Sequence, residues 1–178
     1  EERAIGQQEH PKVLAEFGGE YNDPTLKNYV NAIGQSLASN AELPADSFTF
    51  TLLDTPVVNA FALPGGYVYV TRGLLTILND EAELAGVMGH EIGHVTARHG
   101  ARRQTQGMIA NILATGVGIL SGNRQVAQLG QVAAQGFLAS YSRDNEREAD
   151  QLGVRYLSRT GYETLGMARS LEAIGRHS

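Results

Sequence analysis

Cysteine is absent from this 178-residue sequence. That absence excludes disulfide bonds, thiolate metal ligands and a cysteine nucleophile. It leaves the redox compartment open, because a protein without cysteine suits either side of a membrane. Any metal site in the chain must therefore use histidine and carboxylate side chains.

Long apolar runs are also missing. The most apolar segment covers residues 108–120, and a helix of that length reaches about 20 Å where a bilayer core needs about 30 Å. The segment is predicted to be a buried helix, with a membrane-surface or partner-binding helix as the alternative. The first residues lack the basic start and apolar stretch of a signal peptide, so none is predicted within this chain.

Basic residues are few, with 14 lysines and arginines against 19 acidic residues and a net charge of -5. This balance argues against a nucleic-acid partner. A small basic group at Arg98, Arg102 and Arg103 is interpreted as a helix end, with an anion site as the alternative. At 42% hydrophobic residues the chain can bury one sizeable core, so residues 1–178 are predicted to form a single domain.

Periodicity predicts an α+β fold that is mostly helical. A helix is predicted over residues 24–39, where Asp23-Pro24 precedes apolar residues at helical spacing. A period-two strand begins near Ser47, and short extended segments follow at residues 58–62 and 67–70. These three strands predict a small antiparallel or mixed sheet. Helical patterns return over residues 74–78, 84–95, 105–120, 124–160 and near the C-terminus.

The pattern His90-Glu91-Ile92-Gly93-His94 carries the chemistry. Positions i and i+4 of a helix place both imidazoles on one face, from which they can bind one zinc ion at about 2.0–2.1 Å. Glu91 then flanks the ion, where a general base can take a proton from a metal-bound water. The alternative is two exposed histidines on a solvated face. That alternative leaves unexplained a stripe of helix-weakening glycines, which predicts close packing: Gly86, Gly89, Gly93 and Gly100.

A catalytic zinc site needs a third protein ligand. Glu146 and Asp150 are spaced i and i+4 on a predicted helix face that turns toward the core. We hypothesise that Glu146 is the third ligand and that Asp150 accepts the second N–H of a ligating histidine, preferably His90. In the alternative, both carboxylates are exposed and pair with Arg143 and Arg147. His10 and His99 are interpreted as structural.

Three segments together resemble the HtpX and BepA family of zinc peptidases, whose distant membrane-embedded members are the CAAX prenyl proteases. They are residues 59–70 (NAFALPGGYVYV), residues 89–99 around the paired histidines, and residues 142–150. The resemblance implies a zincin-like minigluzincin domain with Glu146 as third ligand and Asp150 behind it. It also implies that the strand after Gly66 is an edge strand bordering the cleft, with Gly65, Gly66, Tyr67 and Val68 binding substrate.

The expected function is that of a zinc metalloendopeptidase with one Zn²⁺ and loose sequence preference, acting on extended or misfolded polypeptides. Family likeness places it in the bacterial cell envelope, in the periplasm, with peripheral association with membrane or envelope proteins and an open oligomeric state. The main alternative is a chaperone-like envelope binding module with a latent or structural zinc site. Arg176 and His177 come too early to match the family's downstream oxyanion residue, so that role is not assigned.

Overall fold

The computed structural model describes residues 1–98, 141–165, 168–169 and 172–174. Its elements confirm the predicted α+β class with helix predominant. In chain order they are α1 (Glu2–Glu16), α2 (Pro24–Ala38), a 3-10 turn (Ala45–Ser47), β1 (Thr49–Leu53), β2 (Ala60–Leu63), β3 (Tyr67–Thr71), α3 (Arg72–Ile77), α4 (Glu81–Thr96) and α5 (Arg143–Thr160). The predicted helix over 105–120, the first part of that over 124–160, and His99, Gly100, Arg102 and Arg103 lie outside the described residues.

Helix α2 matches the predicted helix over residues 24–39. Asp23 caps it by accepting the Leu26 N–H at 3.1 Å, and proline occupies the first helical position. The apolar stripe of the helix is buried against β1 and α4 at Val30, Ile33 and Leu37. The helix is therefore specified locally, by its cap and by its amphipathic period.

The three strands form one mixed sheet in the order β1-β3-β2, which confirms the predicted sheet. Strand β3 pairs parallel with β1 and antiparallel with β2. The strand after Gly66 is thus the central strand, and its prediction as an edge strand is wrong. The reason is that β1, although distant from β3 in sequence order, pairs along its far side. Gly66, at a φ of 86°, passes against the main chain of Ser47 where β1 begins, and no Cβ would fit there.

Helix α1 was not indicated by the apolar period, because Gly6 and Pro11 interrupt a weakly amphipathic segment. It packs on one face of the sheet, while α2 and α4 cover the other. The residues of this first face form what we call the α1 cluster: Val13, Phe17, Leu53, Phe61, Leu63, Tyr69 and Tyr141. Gly6 lets the helix approach the turn between β2 and β3, since a Cβ there would collide with Pro64 and Tyr67.

Helix α4 lies in the core and is buried from Glu83 to His94. Asp80 caps it by accepting the Glu83 N–H at 2.9 Å, and the buried Glu83 carboxylate accepts the main-chain N–H of Asn79 at 3.0 Å. Its most extensive contact is with α5. Two helices far apart in sequence therefore meet along their length. Among the described helices, none is long and apolar enough to span a membrane.

Candidate metal centre

The paired histidines lie on the buried side of α4. His90 and His94 are 2% and 3% exposed, and their ring planes are nearly perpendicular at 84°. Their Nε2 atoms face each other at 3.0 Å. Helical spacing alone accounts for this pairing, because residues four apart lie one above the other on the same face.

Helix α5 brings Glu146 to the same point. Its Oε2 lies 3.0 Å from Nε2 of His90, and its Oε1 lies 3.1 Å from Nε2 of His94. A zinc ion with four bonds of about 2.0–2.1 Å holds its ligand atoms about 3.3 Å apart. The three side chains therefore form a group that could hold a metal ion, with donor types that suit zinc. That they are the ligands stays a prediction.

Asp150 lies behind His90. The Nδ1 of His90 is 2.7 Å from Oδ1 of Asp150, so this N–H donates to the carboxylate, while Nε2 on the other side of the ring faces Glu146. In the alternative, Glu146 and Asp150 pair with arginines. The structure instead places Nη1 of Arg147 3.9 Å from Oδ1 of Asp144. The contact is the one expected of a carboxylate supporting a metal ligand, and its role toward a metal stays a prediction.

The electrostatics at this point favour positive charge. Burial lowers the pKa of His90, but its hydrogen bonds with Asp150 and Glu146 outweigh burial and raise that pKa to about 10. Burial raises the pKa of Glu146, whereas its contacts with His90 and His94 lower that pKa to about 2. Both shifts stabilise a cation beside a carboxylate. The same environment would stabilise a divalent cation.

Glu91 is fully enclosed beside the histidines, with 1% of its surface exposed. Among the described residues its Oε2 has no hydrogen-bond partner. Burial raises the pKa of Glu91 to about 8, with His90 opposing that rise and Glu146 adding to it. A buried carboxylate with an unsatisfied oxygen and a strong affinity for a proton is suited to act as a general base.

Close approach of α4 and α5 brings these groups together. A Cβ built on Gly93 would lie 2.8 Å from the carbonyl oxygen of Ala149, and one on Gly89 would lie 3.3 Å from that of Gly153. The close packing predicted from the glycine stripe is thus confirmed at these two positions. Because Ala149 lies between Glu146 and Asp150 on α5, the same crossing sets the distance of both carboxylates from the imidazoles.

A small cleft opens beside His94. It is lined by Glu2, Ala62, Leu63, Pro64, His94, Val95, Arg98 and Tyr141. An edge strand does border the cleft, but that strand is β2. Arg98 follows the end of α4 with a φ of 60° and forms an ion pair with Glu2.

Substrate contacts were predicted for four residues on the assumption that their strand has a free edge, and the structure removes that assumption. The four residues are Gly65, Gly66, Tyr67 and Val68. Tyr67 and Val68 belong to β3, which has a neighbour on each side, and Gly65 packs against the main chain of α1. β3 therefore has no free edge to which a substrate strand could add. Direct contacts from these four residues stay a prediction.

The sequence predicts no role at the site for Tyr141. Its ring stacks on that of His94, with centroids 4.1 Å apart and planes inclined by 20°. The available signal was its place directly before Ser142, whose hydroxyl accepts the Asn145 N–H and so caps α5. A residue beside such a cap is held close to the first turn of α5, where Glu146 lies.

A mostly helical domain with a small mixed sheet, in which one helix presents two histidines and another a glutamate, belongs to the zincin-like class of metallopeptidase domains. The comparison with protein families agrees with this. Residues 24–173 match the model of peptidase family M48, and the chain belongs to that family.

Relatives carry protease names. The chain is 38% identical over 164 residues to the beta-barrel assembly-enhancing protease of Escherichia coli strain K12, covering 86% of this chain and 33% of that protein. It is 35% identical to the metalloprotease YcaL of the same strain, over 67% of this chain and 48% of the relative. It is 32% identical to the mitochondrial metalloendopeptidase OMA1 of Arabidopsis thaliana, over 78% of this chain and 28% of the relative. The chain thus spans about a third of the length of the first of these relatives.

Proposed function

We propose that residues 1–178 form a single metallopeptidase domain that hydrolyses peptide bonds with one zinc ion bound by His90, His94 and Glu146. The observation that carries the proposal is convergence: one ligand atom from each residue lies within 4.8 Å of the other two, with the buried Glu91 alongside. Membership of family M48 supports it, and so do the protease names of the relatives.

The chemistry divides between the ion and the chain. Bound zinc supplies a Lewis acid that polarises a peptide carbonyl and makes water more acidic. Glu91 takes the proton from the attacking water and delivers it to the amine that leaves. Its burial suits both transfers, because an enclosed carboxylate accepts a proton readily and no bulk water competes for it. Asp150 keeps the N–H of His90 on the nitrogen that points away from the ion.

The substrate is proposed to be an extended polypeptide that adds to the outer edge of β2, which pairs with no other strand among the described residues. Because Ala60 and Ala62 are 1% and 4% exposed, the groups that cover this edge must move aside to admit the substrate. Asn59 accepts the Thr71 N–H, so alternation along an antiparallel pair turns the main-chain groups of Ala60 and Ala62 away from β3. A peptide held through its main chain is read with little regard to sequence, which suits extended or misfolded proteins. Because the first of the Escherichia coli relatives is named for protease action in β-barrel assembly, we propose that this activity belongs to the bacterial envelope, in the periplasm.

The experiment pairs zinc content with proteolysis. Purified protein should hold one zinc per chain and cleave casein, a chelator should abolish cleavage, and added zinc should restore it. Zinc without cleavage at any casein concentration would contradict the endopeptidase and favour a chaperone-like binding module with a structural or latent site. Failure to bind zinc at saturating concentration would contradict the site itself. Substitution of both His90 and His94 by alanine is the matched control for background zinc and contaminating protease.

A further inference from the structure

The described contacts of the two histidines of the site differ. The ring of His90 is oriented by a hydrogen bond from Nδ1 to Asp150. The ring of His94 has the broad face of Tyr141 against it, at 4.1 Å between centroids. A metal bond requires the lone pair of Nε2, which lies in the plane of the imidazole, to point at the ion. Whatever fixes the plane of the ring therefore confines that bond to the plane.

Tyr141 is itself buried. It is 6% exposed and belongs to the α1 cluster, which packs helix α1 on the sheet. On its other side it is joined directly to Ser142, the cap of α5. A well-packed aromatic ring cannot move away without opening the core around it. Rotation of the His94 ring out of its plane would require such a movement.

We propose that Tyr141 is a positioning residue that fixes the ring plane of His94 and so retains the metal at the site. The inference rests on the proposed zinc function of His94. Tyr141 acts through its ring face, because stacking of offset or parallel rings depends on the aromatic system and not on the hydroxyl. It is also continuous with the first turn of α5, which carries Glu146, so one residue links two of the three predicted ligands.

The test compares zinc affinity in Tyr141→Phe, Tyr141→Leu and the parent, measured by competition with a coloured chelator. Tyr141→Phe keeps the ring and should stay within about threefold of the parent. Tyr141→Leu keeps apolar volume but loses the stacked face, and its zinc affinity should fall about tenfold, the size expected when support for a metal ligand is removed. Cobalt bound in place of zinc should show an altered visible spectrum in Tyr141→Leu alone.

Phe17→Leu is the matched control. Phe17 directly follows α1, is 3% exposed in the same α1 cluster, and has its ring tilted by 38° against that of Phe61, but neither Phe17 nor α1 adjoins a predicted ligand in the chain. Phe17→Leu should lower the melting temperature, as Tyr141→Leu does, but should leave the zinc affinity unchanged. Equal zinc affinity in Tyr141→Leu and the parent would overturn the inference, and so would equal weakening in Tyr141→Leu and Phe17→Leu. A parent that binds no zinc would overturn the proposed function instead.

Discussion

The carbonyl oxygen of Ala149 lies where a side chain at Gly93 would have to be: a Cβ built there is 2.8 Å from that oxygen and 3.1 Å from the Cα of Ala149. Main-chain atoms on one helix thus contact the bare main chain of another. The imidazoles and the carboxylates of the site lie within one turn of these two residues on their helices. The distance between the imidazoles and the carboxylates therefore depends on the lack of a side chain at Gly93.

Gly93→Ala should force α4 and α5 apart. Alanine gains about 1 kcal/mol of helix propensity, but overpacking against main chain costs about 1–3 kcal/mol, so we expect a net loss of up to about 2 kcal/mol in the free energy of unfolding. Zinc affinity should fall with it. Gly89→Ala is the graded control, because its Cβ would lie 3.3 Å from the nearest oxygen. Chemical denaturation and zinc competition measure both; a larger effect at Gly89 would contradict this account.

Asp150→Ala should weaken zinc binding by about 10- to 100-fold, because His90 loses the carboxylate that holds its N–H and orients its ring. The fold should survive, since the Asp150 side chain is 42% exposed. Asp144→Ala on the same helix is the control, as that side chain is 93% exposed. Competition with a chelator gives the affinity of each variant. If the two substitutions have equal effects, the carboxylate of Asp150 does not support the metal ligand.

Glu91→Gln should retain zinc and lower kcat by about 10²- to 10⁴-fold, because the amide cannot accept the proton of the attacking water. Removing a buried carboxylate whose Oε2 lacks a described partner should leave the melting temperature equal or higher. Casein cleavage and metal analysis on the same sample check this. Glu81→Gln, at the exposed start of the same helix, controls for loss of charge. A Glu91→Gln variant as active as its parent would require another base.

Acid should loosen the packing of α1 through His10. Its ring packs on Tyr67 and hydrogen-bonds the hydroxyl of Tyr69, and burial lowers the pKa of His10 from its ordinary value of 6.5, although Glu20 partly opposes this. A histidine whose folded pKa is depressed binds its proton more readily when unfolded. Its stabilising contribution is therefore complete above about pH 6.5 and is lost as the pH falls below that value.

His10→Gln removes this titration while leaving a polar group for Tyr69. The free energy of unfolding of the parent should fall more steeply than that of the variant between about pH 7 and about pH 5. Denaturant titrations of both proteins at several pH values measure the difference. Parallel curves would show that His10 takes no part in the acid sensitivity.

Local patterns predicted the arrangement of the paired histidines better than they predicted the order of the strands. The spacing of His90 and His94 settles their shared face, and the glycines beside them predicted the close helix crossing at Gly89 and Gly93. Strand order was not predictable in this way. The parallel pairing of β1 with β3 joins segments that are separated by β2 in the sequence. The alternation of apolar residues within a strand does not indicate which of the three strands lies in the middle of the sheet. The position at the sheet edge was consequently assigned to β3, whereas the edge strands of the described sheet are β1 and β2.

Tyr141 shows a second limit. Its contact with His94 joins residues far apart in the chain, and a single tyrosine with helical spacing carries no sign of such a partner. The contact of Asp150 with His90 was predictable because a carboxylate on an inward helix face needs a polar partner. An aromatic ring can be buried in any core without such a partner. The roles of polar residues in apolar surroundings can therefore be predicted from the sequence, whereas the roles of stacked aromatic residues cannot.

Helix α1 precedes residue 24, where the family match begins, yet its cluster includes the tyrosine that stacks on a histidine of the site. A shortened protein starting at residue 24 would bare Phe61, Leu63 and Tyr69 to water. Such a fragment would be expected to aggregate, and an inactive preparation of it would say nothing about catalysis. Recombinant work on this enzyme family member should therefore choose its boundaries by packing and not by sequence similarity.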